Sequence, residues 1–341
     1  MAKKASYRVI VVGAGMIGQE MVKILKQRKF PISELKVLAR SARKQVIAGE
    51  EFEVRQTTEE EFDGFDIAFF AGTEGEKGAS VTFGWKAVEK GVLVIDNGQD
   101  FRMDERVPLV VPEVNPEALR NHQGFIANPN CSTIQMIMAV APLHFKAGVK
   151  RIWCATYQAV SGSGGSAYRE LEAQVRAWAE GKPLEAKEYP VQIAFNLIPQ
   201  IARLSEEWEG YYMEEVKMIR ETRKILSAPD MQITATCVRV PVFNGHSEAI
   251  TVELEKPLSL EEARQAIAQM PGVVVVDDPK EFKWPYPLMA DGRDEVFVGR
   301  IRKDSAVENG ISLFCCADNI RKGGALNAVQ IAEKMLEMDL V

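Results

Sequence analysis

One cysteine of the chain stands where its sulfur could act as a nucleophile. Cys131 follows an Asn-Pro-Asn turn and precedes an apolar run, STIQMIMAVAPLHF, long enough for a buried helix ending near Gly148. The N–H groups at a helix N-terminus favour thiolate over thiol, and they could also receive the oxyanion formed when sulfur attacks a carbonyl. A cysteine outside a disulfide is more commonly a small buried apolar residue. The other cysteines fit that description because they lie in apolar, strand-like runs: Cys154, Cys237, Cys315 and Cys316.

A thiolate enzyme also needs a group that handles protons, and the chain has only three histidines. His122 lies in a polar loop, LRNHQG, and is expected to be exposed to solvent. His144 falls late in the helix predicted after Cys131 and is therefore far from the sulfur. His246 follows an Asn-Gly turn and leads into a strand, a position that commonly carries site residues. By elimination we predict that His246 is the proton carrier.

A glycine-rich loop near the start of the chain has the spacing of a dinucleotide site. VIVVGAGMIGQE contains G-x-G-x-x-G directly after a predicted strand and at the start of a predicted helix. In that context the glycines allow a tight turn and close approach to a pyrophosphate, and the helix N-terminus supplies N–H donors. A plain glycine turn is the alternative. The predicted cofactor contacts in this half of the chain are Gly13, Gly15, Met16, Ile17, Gly18 and Gly72.

The residues that end the second predicted strand indicate which dinucleotide is bound. NAD enzymes place an acidic residue about 20 positions after the glycine loop, where it accepts the ribose hydroxyls. Here the segment is LARSARK, with Arg40, Ser41, Arg43 and Lys44 and no carboxylate. Two guanidinium groups and a hydroxyl suit a 2′-phosphate, so the segment favours NADP. The alternative is a solvated basic loop.

The length of the chain and the change in its strand pattern predict two domains. Its 341 residues exceed the roughly 250–300 at which a single core stops growing. Short apolar strands alternate with helical patterns in the first part, which indicates an α/β, Rossmann-type dinucleotide-binding domain over residues 1–130. Longer, partly alternating strands follow and predict an α+β catalytic and dimerisation domain over residues 131–321 with a largely antiparallel sheet. A terminal amphipathic helix, 322–341, is expected to complete the first domain.

Composition excludes several classes of function. The net charge is −6 and no basic run stands out, so neither nucleic acid nor an anionic membrane is an expected partner. The start of the chain reads as a strand rather than a signal peptide, and no segment reaches the roughly 18 apolar residues of a membrane helix. An odd number of cysteines without a CxxC motif predicts reduced thiols and a cytoplasmic location. No spaced ligand cluster predicts a metal site.

Five segments, taken in order over nearly the whole chain, resemble the aspartate-β-semialdehyde dehydrogenase family: ANPNCSTIQ, YQAVSGSGG, EEVKMIRET, RVPVFNGHSE and ADNIRKGGALNAVQIAE. NPNCST together with the R-x6-H spacing of Arg239 and His246 is the most specific part. The resemblance implies NADPH-dependent reductive dephosphorylation of L-aspartyl-4-phosphate to L-aspartate 4-semialdehyde. That reaction leads to lysine, threonine, methionine and diaminopimelate. The family works as a homodimer paired through the second domain.

The resemblance also implies a role for each site residue. Cys131 would attack the acyl phosphate and form a thioester, His246 would be the general acid/base, and Gln158 would orient the acyl group. Arg239 would bind the substrate α-carboxylate, a task suited to the bidentate geometry of arginine, and Glu214 would pair with the substrate amine. The residues implied for the phosphate pocket are Arg102, Asn130 and Lys217, and those implied for the nicotinamide are Ser161, Gly162 and Asn319.

The chain departs from the family pattern in its cofactor segments. Its GAGMIG loop is one residue shorter than the G-A-T-G-x-V-G loop of many relatives, and Arg43 stands where a glycine is common. Besides a more distant glyceraldehyde-3-phosphate-type dehydrogenase, two other interpretations remain open. N-acetyl-γ-glutamyl-phosphate reductase also acts through a cysteine thioester. Its acylated substrate amine would not suit Glu214, and its cysteine tends to follow Asn-Pro-Gly. A non-catalytic dinucleotide-binding paralogue is the other alternative.

Overall fold

Two units make up the chain. A computed structural model describes residues 4–72 and 78–341, and the units are Met1–Asn130 with Gly324–Val341, and Cys131–Gly323. Within the described ranges, none of the helices has both the length and the apolar character that crossing a bilayer requires. No group of three or more His, Cys, Asp or Glu side chains in the same ranges is arranged to hold a metal ion.

The first unit begins as a chain of short strands separated by two helices. The strands are almost wholly buried in the middle of the sheet, where runs such as IAFF and LVID are covered on both faces. The elements are β1 (Tyr7–Val12), α1 (Met16–Gln27), β2 (Ile32–Ala39), β3 (Arg43–Ile47), β4 (Glu50–Gln56), β5 (Ile67–Phe70), α2 (Ala79–Glu89), β6 (Leu93–Asp96) and β7 (Phe125–Ala127).

These strands form one sheet in the order β3-β4-β2-β1-β5-β6-β7. All neighbours are parallel except β3 and β4, which pair antiparallel at one edge. The order places the glycine loop after the central strand β1, at the carboxyl end of the sheet where α/β proteins bind nucleotides. The predicted Rossmann-type sheet is confirmed. The β3–β4 pair was not predicted, because its residues are mostly charged or polar and only one residue of each strand is buried.

The second unit is a sheet with helices packed against it. Its first helix, which begins at Cys131, is buried along most of its length. A short 3-10 turn, Val160–Ser163, follows the first strand of the sheet. The elements are α3 (Cys131–Ala147), β8 (Val149–Gln158), α4 (Gly165–Ala179), α5 (Met213–Ile225), β9 (Gln232–Arg239), β10 (His246–Leu254), α6 (Leu260–Ala268), β11 (Val273–Val275), α7 (Pro287–Ala290), β12 (Val296–Lys303) and β13 (Gly310–Ala317).

The sheet of the second unit has the order β11-β12-β13-β10-β8-β9. The three central pairings, β12–β13, β13–β10 and β10–β8, are antiparallel, whereas the edge pairings β11–β12 and β8–β9 are parallel. The predicted largely antiparallel sheet is thus confirmed. Because β8 and β9 are parallel and in register, Gln158 and Arg239 stand side by side at the ends of their strands.

The chain returns to the first unit in its last helix. After a π-helical turn, Arg321–Ala325, helix α8 (Leu326–Glu337) buries a face of Leu326, Val329, Ile331 and Met335 in the same core as strands β1, β2 and β5. Asn327 lies in that interface and donates through Nδ2 to Asn128 Oδ1 at 2.7 Å and to the Val110 carbonyl at 3.0 Å. These bonds fix the Asn-Pro-Asn segment that leads to Cys131.

Candidate functional site

Cys131 is the first residue of α3, which ends at Ala147, as the apolar run predicted. Its side chain is partly exposed, whereas the other four cysteines are buried. Burial raises the pKa of each of those four thiols above its ordinary value, in the case of Cys316 to about 12. Cys131 is therefore the cysteine that combines solvent access with a helix N-terminus, the environment in which thiolates form.

The backbone of the π-helical turn lies directly against Cys131. A Cβ placed on Gly323 would lie 2.9 Å from the Cys131 Cβ and 3.6 Å from the Asn319 Cβ. Only a residue without a side chain allows this approach. Gly323 was missed in the sequence, where KGG looked like a helix start alone. Its role shows only when residues almost two hundred positions apart are brought together.

His246 opens strand β10 and is completely buried. Its Nδ1 accepts a hydrogen bond from the backbone N–H of Ala159 at 3.0 Å. The neutral ring consequently carries its proton on Nε2, an atom that has no hydrogen-bond partner among the described residues. Burial, reinforced by the charge of Arg239 and opposed by that of Glu214, lowers the pKa of His246 to about 3. The imidazole is neutral at physiological pH and presents an N–H donor.

Arg239 and Gly162 border the imidazole. A Cβ on Gly162 would lie 2.9 Å from Arg239 Nη1, 2.9 Å from His246 Cε1 and 3.0 Å from His246 Nε2. Arg239 is buried at the end of β9, and its Nη1 donates to the Ala159 carbonyl at 2.6 Å. Ala159 thus holds both side chains, the imidazole through its N–H and the guanidinium through its C=O. The two predicted site residues with the R-x6-H spacing are brought together, with Gly162 against both.

A second cluster of polar side chains includes Gln158 at the end of β8. Gln158 Nε2 donates to Glu214 Oε1 at 3.2 Å and to Thr156 Oγ1 at 3.3 Å. Lys217, one helical turn after Glu214 on α5, donates to Glu214 Oε2 at 3.1 Å. The Glu214 side chain is nearly inaccessible and lies between an amide and an ammonium group. Three residues predicted from the sequence to bind or orient substrate are therefore in direct contact.

Ser161 and Asn319 form a third group. Asn319 Nδ2 donates to Ser161 Oγ at 3.0 Å, and Asn319 Oδ1 accepts from the Gly245 N–H at 2.9 Å. Ser161 also donates to Asn244 Oδ1 at 2.9 Å. Asn244 in turn donates to Asp318 Oδ2 at 2.9 Å. Asn244 and Asp318 were missed because each sits in an ordinary turn sequence and gains its partner only through the fold.

The remaining predicted residues belong to the first unit. A cavity of about 570 Å³ lies at the carboxyl end of its sheet. Gly13 has φ +113°, and a Cβ there would lie 3.0 Å from the Ala71 carbonyl oxygen, so the loop requires glycine. Arg102 is buried, and its Nη2 donates to the Asn97 carbonyl at 2.7 Å; Asn130 is also buried. The cavity lining is Val12, Gly13, Ala14, Gly15, Ala39, Arg40, Arg43, Thr57, Ala71, Gly72, Ala79, Thr82 and Phe83.

The residues that line this cavity include some of the predicted cofactor contacts and not others. Among the predicted contacts the lining includes Gly13, Gly15, Arg40 and Gly72, whereas Met16, Ile17, Gly18 and Ser41 are not part of it. Gly18 packs instead against the loop, since a Cβ there would lie 1.7 Å from the Gly13 carbonyl oxygen. Thr57, Thr82 and Phe83 are additional lining residues that no motif indicated. A cavity edged by glycines and two arginines fits a phosphorylated dinucleotide.

The two rejected histidines lie elsewhere. His122 was expected to be exposed, which is wrong: it is half-buried, burial lowers its pKa, and its Nδ1 accepts the Gly124 N–H at 3.1 Å. The loop folds back on its own ring, a contact that polarity alone does not reveal. His144 lies in the last turn of α3, and its Nδ1 accepts the Val149 N–H at 3.0 Å. Both rings serve their local turns.

Comparison with known proteins places this fold and site in a class. The model of the semialdehyde dehydrogenase NAD binding domain matches residues 8–122, and that of the semialdehyde dehydrogenase dimerisation domain matches residues 140–322. Aspartate-semialdehyde dehydrogenase of Aquifex aeolicus is 50% identical, with 98% of this chain and 99% of the relative covered. That of Bacillus subtilis is 44% identical, with 98% of each chain covered.

A solved structure agrees with the curated relatives. The crystal structure of aspartate semialdehyde dehydrogenase II complexed with ASA from Vibrio cholerae has a TM-score of 0.92 and 41% identity, and the match covers 98% of this chain and 99% of that one. The chain belongs to the aspartate-semialdehyde dehydrogenase family of oxidoreductases. The resemblance carried by its five sequence segments is confirmed.

Proposed function

We propose that the chain catalyses NADPH-dependent reduction of L-aspartyl-4-phosphate to L-aspartate 4-semialdehyde and phosphate, on the route to lysine, threonine, methionine and diaminopimelate. The observation that carries the proposal is the group formed by His246, Arg239, Gly162, Gln158 and Glu214, which lies in the same unit as a partly exposed thiol at a helix N-terminus. The names of the relatives support the substrate class.

In the proposed reaction Cys131 forms a bond to the acyl carbon. The thiolate attacks the carbonyl, the carbon–oxygen bond to phosphate breaks, and phosphate leaves with that electron pair. NADPH, when bound, supplies the hydride that reduces the thioester. The resulting alkoxide re-forms its C=O, the carbon–sulfur bond breaks, and the thiolate of Cys131 is restored as the aldehyde leaves. Amide donors at the start of α3 suit the charge that develops on sulfur.

His246 suits the role of a donor to the developing oxyanion. Its Nδ1 lone pair is used by the Ala159 N–H at 3.0 Å, so the proton that it offers is on Nε2. A preorganised donor in a buried site stabilises an oxyanion more than water does. Accepting a proton at Nε2 would require the other tautomer, which would set an Nδ1–H against the Ala159 N–H. We therefore assign His246 the role of a hydrogen-bond donor to the oxyanion, with its proton kept on Nε2.

The substrate's charged groups have matching partners. Arg239 offers a buried guanidinium for the α-carboxylate, and Glu214 offers a carboxylate for the free amine. Lys217, now on Glu214 Oε2, would turn toward phosphate together with Arg102 and Asn130. The first unit, with the segment 322–341, would hold NADP through Gly13, Gly15, Arg40, Ser41 and Gly72. Ser161, Gly162 and Asn319 would contact the nicotinamide.

We also propose that the enzyme is a homodimer paired through residues 131–321 and that it works in the cytoplasm. The dimerisation-domain match over residues 140–322 supports the first point. Five cysteines, an odd number, support a reducing compartment. Light scattering of the purified protein measures the mass; a monomer would contradict the dimer.

The phosphate-dependent reverse reaction tests the function. Purified protein receives aspartate semialdehyde, phosphate and NADP, and absorbance of the reduced nicotinamide is followed. We expect turnover that stops without phosphate and is absent in Cys131→Ala but retained in Cys154→Ala, which removes a buried thiol of β8. Near-normal turnover by Cys131→Ala would remove it as the nucleophile. A preference for N-acetylglutamate semialdehyde over aspartate semialdehyde would overturn the substrate.

A further inference from the structure

Two glutamine amides hold the carbonyl of the glycine loop. The Ala14 carbonyl oxygen accepts from Gln19 Nε2 at 3.1 Å and from Gln45 Nε2 at 3.0 Å. Gln19 belongs to α1, the helix that the loop starts, but Gln45 comes from the edge strand β3. The C=O and N–H of a trans peptide point in opposite directions. Fixing the Ala14 C=O therefore aims the Gly15 N–H away from both glutamines.

The other end of Gln45 holds an arginine. Gln45 Oε1 accepts from Arg43 Nε at 2.9 Å, and Arg43 Nη1 donates to the Ser41 carbonyl at 3.2 Å. Two bonds to one guanidinium set the direction of its plane, since the group is rigid. Arg43 lines the same cavity as Ala14 and Gly15. Gln45 therefore links the glycine loop to a cation on the cavity rim.

Lys44, which lies between Arg43 and Gln45 in the chain, is not part of this link. Side chains alternate across a strand, so Arg43 and Gln45 share one face of β3 and Lys44 lies on the other. Lys44 pairs with Glu51 of β4 at 3.0 Å and is largely exposed. Gln45 is half-buried between exposed neighbours. Its position suits a structural connection rather than a solvated surface amide.

We propose that Gln45 is a positioning residue that couples recognition of the cofactor's 2′-phosphate by Arg43 to the orientation of the pyrophosphate-binding loop. The inference rests on the proposed function, because it requires NADP in this cavity. Gln45 touches neither phosphate in this scheme. It sets the plane of Arg43 with one end of its amide and the Ala14–Gly15 peptide with the other. NADP recognition then depends on both contacts, and NAD recognition on the loop alone.

Calorimetric titration with NADP and NAD, without substrate, tests this coupling in four proteins besides the wild type: Gln45→Met, Arg43→Leu, the double variant, and Lys44→Met as control. Loss of a hydrogen bond to a charged group corresponds to about tenfold or more in Kd, so we expect Gln45→Met to weaken NADP about tenfold and NAD about threefold. Lys44→Met should change either Kd by less than about twofold. Adenosine 2′,5′-bisphosphate should follow NADP.

The double variant decides whether Gln45 acts through Arg43. In the Arg43→Leu background, Gln45→Met should weaken NADP and NAD equally, because its partner on the phosphate is gone. A larger effect on NADP in that background, an equal effect on both nucleotides in the wild-type background, or no effect at all would overturn the inference. Wild-type protein that binds neither nucleotide would overturn the proposed cofactor and this inference together, whereas binding that Gln45→Met leaves unchanged overturns the inference alone.

Discussion

The protonation state of His246 gives a sharp test, because it follows from one hydrogen bond and from complete burial. With a pKa of about 3 in the folded protein, against an ordinary 6.5, about 1% of the rings are protonated at pH 5. An exposed imidazole would be about 97% protonated at that pH. We predict that His246 remains neutral, with its proton on Nε2, from pH 8 to pH 5.

The same difference in pKa makes folding stability depend on pH. The unfolded chain binds the proton more readily than the folded one, so stability is lost as pH falls. The contribution is complete above about pH 6.5, decreases below it and is fully lost below about pH 3. At about 1.4 kcal/mol per pH unit, lowering the pH from 8 to 5 removes about 2 kcal/mol through this one residue.

Two measurements check this prediction. Ring-nitrogen NMR distinguishes the tautomer and charge of each of the three histidines, with His246 assigned from its absence in His246→Asn. Urea unfolding at pH 8 and pH 5 should show that the wild type loses about 2 kcal/mol more than His246→Asn. His144→Asn serves as the control for loss of a histidine, since that ring is only half-buried and lies in the last turn of α3, away from Ala159 and Arg239 in the chain. A proton on Nδ1, titration near pH 6.5, or equal pH dependence in wild type and His246→Asn would refute the reasoning.

Three further substitutions probe the rest of the site. Gly162→Ala would place a methyl group 2.9 Å from Arg239 Nη1 and from His246 Cε1. We therefore expect kcat to fall by about a hundredfold while the melting temperature changes little. A normal kcat would show that the imidazole ring can move aside. Gly323→Ala would place its methyl group 2.9 Å from the Cys131 Cβ. We expect both turnover and the alkylation of the thiol by iodoacetamide to slow. An unchanged alkylation rate would contradict this prediction. For Arg239→Leu, we expect KM for the semialdehyde to rise more than about tenfold and KM for NADP to rise less than about twofold. Equal increases would argue against binding of the substrate α-carboxylate by Arg239.

Local pattern was sufficient for the elements that carry most of the chemistry. The apolar run after Cys131 predicted a helix from its first residue, and the helix spans Cys131–Ala147. The glycine spacing predicted the strand–loop–helix that borders the nucleotide cavity. His246 was chosen because few histidines compete, and it begins β10 as its turn-to-strand position indicated. In each case the signal lies within about 20 consecutive residues, where periodicity and turn chemistry are read directly.

What the sequence could not show are the contacts made between distant segments. Gly323 touches Cys131, and Asn244 joins Ser161 to Asp318, only after the strands have paired. The β3–β4 edge was missed for a different reason. An edge strand that is largely exposed to water has a weak apolar alternation, and LARSARK was interpreted as the end of the second strand. Gln45 lies in that edge, so its link to Ala14 could not be seen before the fold was known.

The neutral state of His246 also determines what can stabilise the nucleophile. A thiolate–imidazolium pair would need a proton on Nδ1, which would face the Ala159 N–H across 3.0 Å with no lone pair between them. Arg239 next to the ring disfavours a second positive charge still further. The positive charge near Cys131 is then the partial charge at the N-terminus of α3, which does not change with pH. The oxyanion donor consequently keeps its proton on Nε2 over a wide pH range, because stabilising the sulfur does not require a second proton on the ring.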